Sequence, residues 1–134
     1  GLILARESAL NLSGAAMRVA AGGAEAVPIA QTVPGEDVFG ALRNAEIRVA
    51  ATVPRAGESL YSSRLPERRV FVLGAEGGGL PQALIDRADV HLTIPGSGAV
   101  ESLNVAASAA VLFGEYYRQR VAAPRDRGRP DRRA

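Results

Sequence analysis

The sequence predicts an α/β fold, a mainly parallel twisted sheet flanked by helices. Short aliphatic or β-branched runs alternate with segments of helical periodicity along the 134 residues. That alternation favours parallel pairing, because each parallel strand pair needs a crossover connection. Hydrophobic residues make up 47% of the chain but aromatic residues only 4%, so the core should be aliphatic. The length suits one domain with one core.

The first half of the chain contains three predicted strands and two predicted helices. Ser13 is a suitable cap for the first helix, which Gly22 and Gly23 should end. The second helix is amphipathic, since Val38 and Leu42 recur at helical spacing on one face. The strands are expected at residues 2–5, 27–30 and 47–53, and the helices at 14–21 and 36–45.

The second half contains two more strands, at residues 70–73 and 90–94, and helices at 81–88 and 103–118. Proline in the first turn favours the shorter helix, because the amide it lacks would have no partner there. The longer helix has almost no polar residue before Glu115. It should therefore be buried on nearly all sides, either as a central core helix or enclosed by other chain or a partner subunit.

The net charge of +2 conceals two regions of opposite sign. All 16 basic residues are arginines, and seven of them lie at or beyond position 118, which gives that stretch a charge of +5. Residues 1–117 carry nine arginines against 12 acids, a charge of −3. We therefore expect a folded domain over residues 1–117 and a basic, disordered tail over 118–134. The tail suits either a phosphate backbone or solubility alone.

Composition also excludes several classes of protein. Cysteine is absent, which excludes a disulfide scaffold and a thiolate metal site and fits a reducing cytoplasm. No apolar run approaches the roughly 20 residues of a membrane span, and the first residues lack the features of a signal peptide. His91 lies in a predicted strand with no recognisable catalytic partners, so we expect a half-exposed strand residue. The sequence thus predicts a cytoplasmic protein without a metal or a membrane anchor.

Two segments are candidates for chemistry, and the first is the glycine-rich stretch 73–80. It follows a predicted buried strand, at the sheet edge where open α/β folds bind ligands. Its four glycines allow close approach to the backbone, and Glu76 places a carboxylate among them. Alone, the stretch also fits a flexible turn. Its context differs from the dinucleotide fingerprint, and it lacks the lysine of a phosphate loop.

The second candidate segment is residues 94–105, an irregular loop between a strand and the longest helix. Ser102 is a plausible N-cap, and Asn104 would lie in the first turn, where unpaired amides point. Those amides could donate hydrogen bonds to a ligand without any charged group. Alone, the segment also fits an ordinary strand-to-helix loop with a capping serine.

Taken in order, these segments resemble the second and third motifs of the SpoU family, in the SPOUT superfamily of methyltransferases. Upstream stretches are similar to the branch that methylates 23S rRNA guanosine at the ribose 2′-oxygen. The motif matches are Leu73-Gly74-Ala75-Glu76-Gly77, Ile94-Pro95, Glu101-Ser102-Leu103-Asn104-Val105 and Tyr117-Arg118-Gln119-Arg120; the branch matches are residues 19–28 and Ser59-Leu60-Tyr61. The resemblance covers about residues 1–120.

The resemblance implies a fold, a cofactor and partners. Family members have a C-terminal trefoil knot, bind S-adenosylmethionine in it and form homodimers that act on RNA, either rRNA or tRNA. The backbone groups of Gly74, Ile94 and Leu103 would hold the adenine. The full set of cofactor-binding positions implied by the motifs is Thr52, Gly74, Gly77, Ile94, Pro95 and Leu103.

The implied reaction is transfer of a methyl group to a ribose 2′-hydroxyl. A hydroxyl needs a base or a positioned cation to become a good nucleophile. In the family an arginine of the first motif has that role, and the supporting residues here would be Glu76, Ser102 and Asn104. No residue matches that arginine, because Arg18 falls inside the downstream match. Two functions therefore remain open: the cofactor-binding C-terminal portion of an RNA 2′-O-methyltransferase, or a catalytically inactive RNA-associating or dimerisation module.

Overall fold

The computed structural model describes residues 1–6, 13–75, 77–97 and 103–121. The chain divides into two compact units, Gly1–Gly40 and the remainder from Ala41 onward. Two predicted catalytic residues, Glu76 and Ser102, lie outside the described residues.

The first unit contains a pair of parallel strands connected through two short helices. Ser13 caps the first helix as predicted, since its Oγ accepts a hydrogen bond from the Ala16 amide at 3.1 Å. The first helix ends at Val19, before the two glycines that were expected to end it. Gly22, with a φ of 87°, is the N-cap of a second helix, and Gly23 is the first residue of that helix. The elements are β1 (Leu2–Leu4), α1 (Gly14–Val19), α2 (Gly23–Ala26) and β2 (Ile29–Gln31).

The second unit is built on a four-stranded sheet. Its strand order is β4-β6-β3-β5, and every strand pair in it is parallel, which confirms the predicted pairing. With β1 and β2, the strands form two parallel sheets among the described residues. The elements are α3 (Val38–Asn44, shared with the first unit), β3 (Arg48–Thr52), β4 (Glu58–Ser59), β5 (Arg69–Val72), α4 (Gln82–Ile85), β6 (Val90–Thr93) and α5 (Val105–Val121).

The predicted strands agree with the structure to within two residues, and the helices less closely. The helix predicted at 81–88 ends at Ile85, with Pro81 as its N-cap. The helix predicted at 103–118 runs from Val105 to Val121, so the first four residues of the expected tail are helical. The sequence did not predict β4, because two residues show no periodicity. It forms through pairing of Ser59 with Thr93.

The core of the second unit is aliphatic, as predicted from the scarcity of aromatic residues. Its buried members are Ala50, Leu60, Leu65, Leu92 and Leu112. Helix α5 contributes Leu112 to this core, yet Phe113 is 58% exposed and Tyr117 63% exposed. The expectation that this helix is buried on nearly all sides is therefore wrong for the chain by itself. No helix among the described residues is long and apolar enough to cross a membrane.

Helix α5 is fastened to the segment between β4 and β5 by hydrogen bonds from side chain to backbone. Gln119 Oε1 accepts from the Leu65 amide at 2.9 Å, and Gln119 Nε2 donates to the Ser63 carbonyl at 2.9 Å. The Tyr116 hydroxyl donates to the carbonyl of Glu67 at 2.9 Å. The last turns of α5 thereby satisfy backbone groups of a segment that has little regular structure of its own.

Candidate functional site

The ends of three adjacent parallel strands bring most of the predicted cofactor positions to one edge of the sheet. Strand β3 lies between β5 and β6, with Thr52 paired to Leu92. Since parallel strands end on the same side, Thr52 lies along this edge between Ile94, which follows β6, and Gly74, which follows β5. We call it the carboxyl edge. Pro95 continues from Ile94 and is exposed.

Thr52 connects two of these strands through its side chain. Its hydroxyl donates a hydrogen bond to the carbonyl of Val72 at 3.0 Å. The bond fixes the end of β3 beside the point where β5 leads into the glycine-rich stretch. Thr52, which is predicted to bind the cofactor, therefore also holds the ends of β3 and β5 together.

The described residues of the glycine-rich stretch, 74–75 and 77–80, are closed by a backbone bridge, and we call them the glycine loop. The Gly79 amide donates to the Ala75 carbonyl at 3.0 Å, and these two residues form an antiparallel bridge. Gly77 and Gly79 adopt φ angles of 81° and 64°, which only glycine tolerates readily. A Cβ on Gly74 would lie 2.2 Å from the Gly79 carbonyl carbon. The described residues on either side of residue 76 are therefore joined by a backbone bridge, and Gly74 packs against the backbone of Gly79 with no room for a side chain.

Asn104 is at the N-terminus of α5 and caps it. Its Oδ1 accepts hydrogen bonds from the amides of Ala106 at 2.8 Å and Ala107 at 3.4 Å. Asparagine is among the preferred N-cap residues, because its short side chain reaches these otherwise unpaired amides. The sequence placed Asn104 inside the first turn, whereas the structure gives it the capping position. Leu103 immediately precedes it, with a side chain that is 49% exposed.

The carboxyl edge offers mainly neutral groups to a ligand. Thr52, Gly74, Ile94 and Pro95 carry no charge, so recognition there would depend on main-chain amides and carbonyls. In the described part of the chain, no group of three histidine, cysteine or acidic residues could hold a metal ion. His91 is exposed and its Nε2 lies 2.9 Å from the Ile85 carbonyl oxygen, a contact that links β6 to α4.

Two features were not identified from the sequence. One is the set of hydrogen bonds made by Gln119, of which the motif match at 117–120 was the only sign. The other is a cavity beside the sheet, whose lining includes Arg48, Arg64 and Arg69. Arg48 lies 16 positions before Arg64, and no local sequence pattern brings it together with Arg64 and Arg69.

Comparison with known proteins shows what the chain is similar to. The model of the SpoU rRNA Methylase family matches residues 1–114. The chain is 39% identical over 123 residues to an uncharacterised tRNA/rRNA methyltransferase, YfiF, of Escherichia coli O157:H7, covering 90% of this chain and 35% of that protein. It is 32% identical over 120 residues to the 23S rRNA (guanosine-2′-O-)-methyltransferase RlmB of Salmonella typhi. This alignment covers 90% of this chain and 49% of that protein. The chain thus spans half or less of the length of these relatives.

Solved structures of SpoU and rRNA methyltransferases have a similar fold. The SpoU methyltransferase AviRb from Streptomyces viridochromogenes, in complex with AdoMet, superposes with a TM-score of 0.80 at 28% identity, covering 91% of this chain and 48% of that one. An AdoMet-bound rRNA methyltransferase from Sinorhizobium meliloti gives a TM-score of 0.76 at 27% identity. This superposition covers 90% of this chain and 46% of that one. The α/β arrangement is therefore shared with both proteins.

Proposed function

The chain belongs to the SpoU rRNA methylase family, and from that premise we propose that it is the S-adenosylmethionine-binding portion of an RNA ribose 2′-O-methyltransferase. The observation that carries this proposal is the convergence of Thr52, Gly74 and Ile94 at the carboxyl edge. The names of its relatives support RNA as the substrate, and two similar structures hold the same cofactor. A substrate of this kind is consistent with a cytoplasmic location.

The residues at the carboxyl edge fit such a cofactor by the chemistry of their donors. Adenine is flat and neutral, and main-chain amides and carbonyls can hydrogen-bond it without charged side chains. A Cβ at Gly77 or Gly78 would meet nothing within 4 Å, so this side of the glycine loop has room for a ligand. We assign the site to Thr52, Gly74, Gly77, Ile94, Pro95 and Leu103.

When bound, the cofactor supplies an electrophilic methyl group to the ribose 2′-hydroxyl. The residues of this chain would position the RNA and share the proton of that hydroxyl, with Glu76 and Ser102 as its supporting polar groups. Asn104 uses its Oδ1 to fix the start of α5, so we give it a positioning role on the segment that leads from Ile94. The proton acceptor proper would be the arginine of the family's first motif, which no residue here matches.

We also assign the family's trefoil knot to the second unit. Its support is the fastening of α5 to the segment between β4 and β5, in which Gln119 bonds both Ser63 and Leu65. Because α5 ends at Val121, the folded part extends beyond residue 117. We assign contact with RNA phosphates to the arginine-rich residues 122–134, since Arg118 and Arg120 already bond within the protein.

Binding of S-adenosylhomocysteine tests the proposed site. We expect isothermal titration to show binding to the wild-type chain and at least about tenfold weaker binding to Leu103→Trp, because the larger ring would fill the proposed adenine site. Leu103 is 49% exposed, so the melting temperature should change little. Val33→Trp, at a side chain that is 58% exposed, is the matched control. A folded wild-type chain that gives no binding heat would overturn the proposal.

The exposed stripe of α5 supports a homodimer. Its members recur at spacings of three and four residues and so lie along one side of the helix: Ala106, Ala110, Phe113, Tyr117 and Val121. An apolar helix face left open to solvent is typical of a surface that a partner covers. We propose that the partner is a second copy of this chain.

The mass in solution tests the dimer. We expect light scattering to give twice 13.9 kDa for the wild-type chain and the monomer mass for Phe113→Glu, because a charge at the centre of an apolar interface has no partner there. Val19→Glu, at a side chain that is 86% exposed outside α5, should remain dimeric. A monomeric wild-type chain at every concentration would contradict the assignment.

A further inference from the structure

The guanidinium of Arg69, at the start of β5, is buried without hydrogen-bond partners. Its Nε, Nη1 and Nη2 are all inaccessible to solvent, and none has a hydrogen-bond partner within the described part of the protein. Its central carbon lies 4.7 Å from the ring centre of Tyr116 and 5.5 Å from that of Phe71. The aromatic rings attract the positive charge, but they are poor hydrogen-bond acceptors for its N–H groups. The buried N–H donors therefore remain unsatisfied, which costs free energy.

A second guanidinium, that of Arg120, adds positive charge close to Arg69. Arg120 lies 5.8 Å from the centre of the same Tyr116 ring, and its Nε is also buried without a partner. Burial and the charge of Arg120 lower the pKa of Arg69 to about 10. An anion beside these groups would reverse both effects, because it would neutralise charge and accept hydrogen bonds.

A cavity of about 210 Å³ lies beside Arg69. Three arginines line it, Arg48, Arg64 and Arg69, against the single carboxylate of Glu58. Arg48 and Arg69 begin β3 and β5, so this part of the cavity lies at the amino ends of these two strands, and the cavity extends along the sheet to Leu92, which pairs with Thr52. Arg64 and Glu58 are exposed, which leaves the cavity accessible between them. We call it the arginine cavity.

We propose that the arginine cavity binds a phosphate group, either free phosphate or a phosphate of the RNA backbone. Phosphate offers several acceptor oxygens and up to two negative charges, which suits a cavity whose lining includes three arginines and one carboxylate. A water molecule would accept hydrogen bonds but leave the charges uncompensated. The Arg69 N–H groups are enclosed in this structure, so the proposed binding requires its guanidinium to turn from the rings of Tyr116 and Phe71 towards the cavity. The proposal does not depend on methyl transfer, because free phosphate alone is sufficient to fill the site.

Thermal unfolding in phosphate and in chloride of equal ionic strength tests this site. We expect phosphate to raise the melting temperature of the wild-type chain by about 3 °C, because a ligand that binds only the folded state stabilises it. Arg69→Met keeps the apolar contact with the rings and removes the donors, so it should lose the phosphate effect. Arg64→Gln, at an exposed position, should weaken the effect without unfolding the chain. Arg55→Met, another exposed arginine, should retain it.

Binding of a fluorescent RNA hairpin identifies the source of the phosphate. If the backbone supplies it, Arg69→Met should weaken RNA binding about tenfold relative to Arg55→Met, and inorganic phosphate should compete. If free phosphate is the ligand, RNA binding should be equal in the two variants while the thermal effect still differs. Both results support the site. An equal thermal effect of phosphate on the wild type, Arg69→Met and Arg64→Gln, or no effect on the wild type, would overturn it.

Discussion

Replacing Gly74 by alanine is expected to lower the free energy of unfolding by about 2–3 kcal/mol and to abolish binding of S-adenosylhomocysteine. The added Cβ would lie 2.2 Å from the carbonyl carbon of Gly79 and 2.5 Å from the amide nitrogen of Leu80. Both are backbone atoms, so no side-chain rotation relieves the collision. The glycine loop must open, and with it the carboxyl edge loses the geometry that the proposed site requires.

The matched control lies in the same loop. A Cβ on Gly78 would meet nothing within 4 Å, and Gly78 does not adopt a positive φ. Gly78→Ala should therefore leave stability within about 0.5 kcal/mol of the wild type. Urea unfolding and isothermal titration on the three proteins measure both effects. If Gly74→Ala behaved like Gly78→Ala, the loop could not have the closed form described above.

Comparison with Leu103→Trp separates the two roles of the site. Leu103→Trp should affect cofactor binding with little change in stability, whereas Gly74→Ala should affect both. A loss of binding in Gly74→Ala alone would indicate that the loop, and not the adenine contact assigned to Leu103, determines affinity.

The parallel sheet was predictable from sequence, because the signal for each strand is local. Residues 47–53 and 70–73 are mostly apolar runs ended by Pro54 and Gly74, and the structure has strands at Arg48–Thr52 and Arg69–Val72. Alternation with helices then predicts parallel pairing, and parallel pairing predicts which strand ends share an edge. The position of Thr52, Gly74 and Ile94 along one edge follows from these steps. The assignment of that edge to a cofactor came from the family resemblance.

The features that sequence reasoning missed depend on contacts between distant residues. Gln119 lies 54 positions from Leu65, and nothing local to either predicts their hydrogen bond. Arg69 directly precedes the strand predicted at residues 70–73, and nothing in that pattern indicates that its guanidinium is buried against Tyr116. The composition of α5 shows how many apolar residues it has but not which of them the same chain covers. The exposure of Phe113 was unpredictable for that reason.

Replacing Gln119 by alanine should be the most damaging change at the end of α5. The side chain accepts from the Leu65 amide, donates to the Ser63 carbonyl, and donates to Glu115 Oε1 at 2.7 Å. Alanine would leave these three groups without that partner in a partly buried setting, at a cost of about 2–4 kcal/mol in unfolding free energy. Gln82→Ala, which removes an exposed hydrogen bond to Asp86, should cost no more than about 0.5 kcal/mol.

The cost of Gln119→Ala should also depend on pH, because Gln119 helps to keep Glu115 ionised. Hydrogen bonds from Arg118 and then Gln119 lower the pKa of Glu115 from 4.5 to about 2. A carboxyl group with a lowered pKa stabilises the fold above its unfolded pKa, and that contribution disappears as the pH falls through the folded value. The difference between wild type and Gln119→Ala should therefore be largest above about pH 4.5 and shrink towards pH 2. Urea unfolding across this range measures it, and a difference that stays constant would show that Gln119 does not act on Glu115.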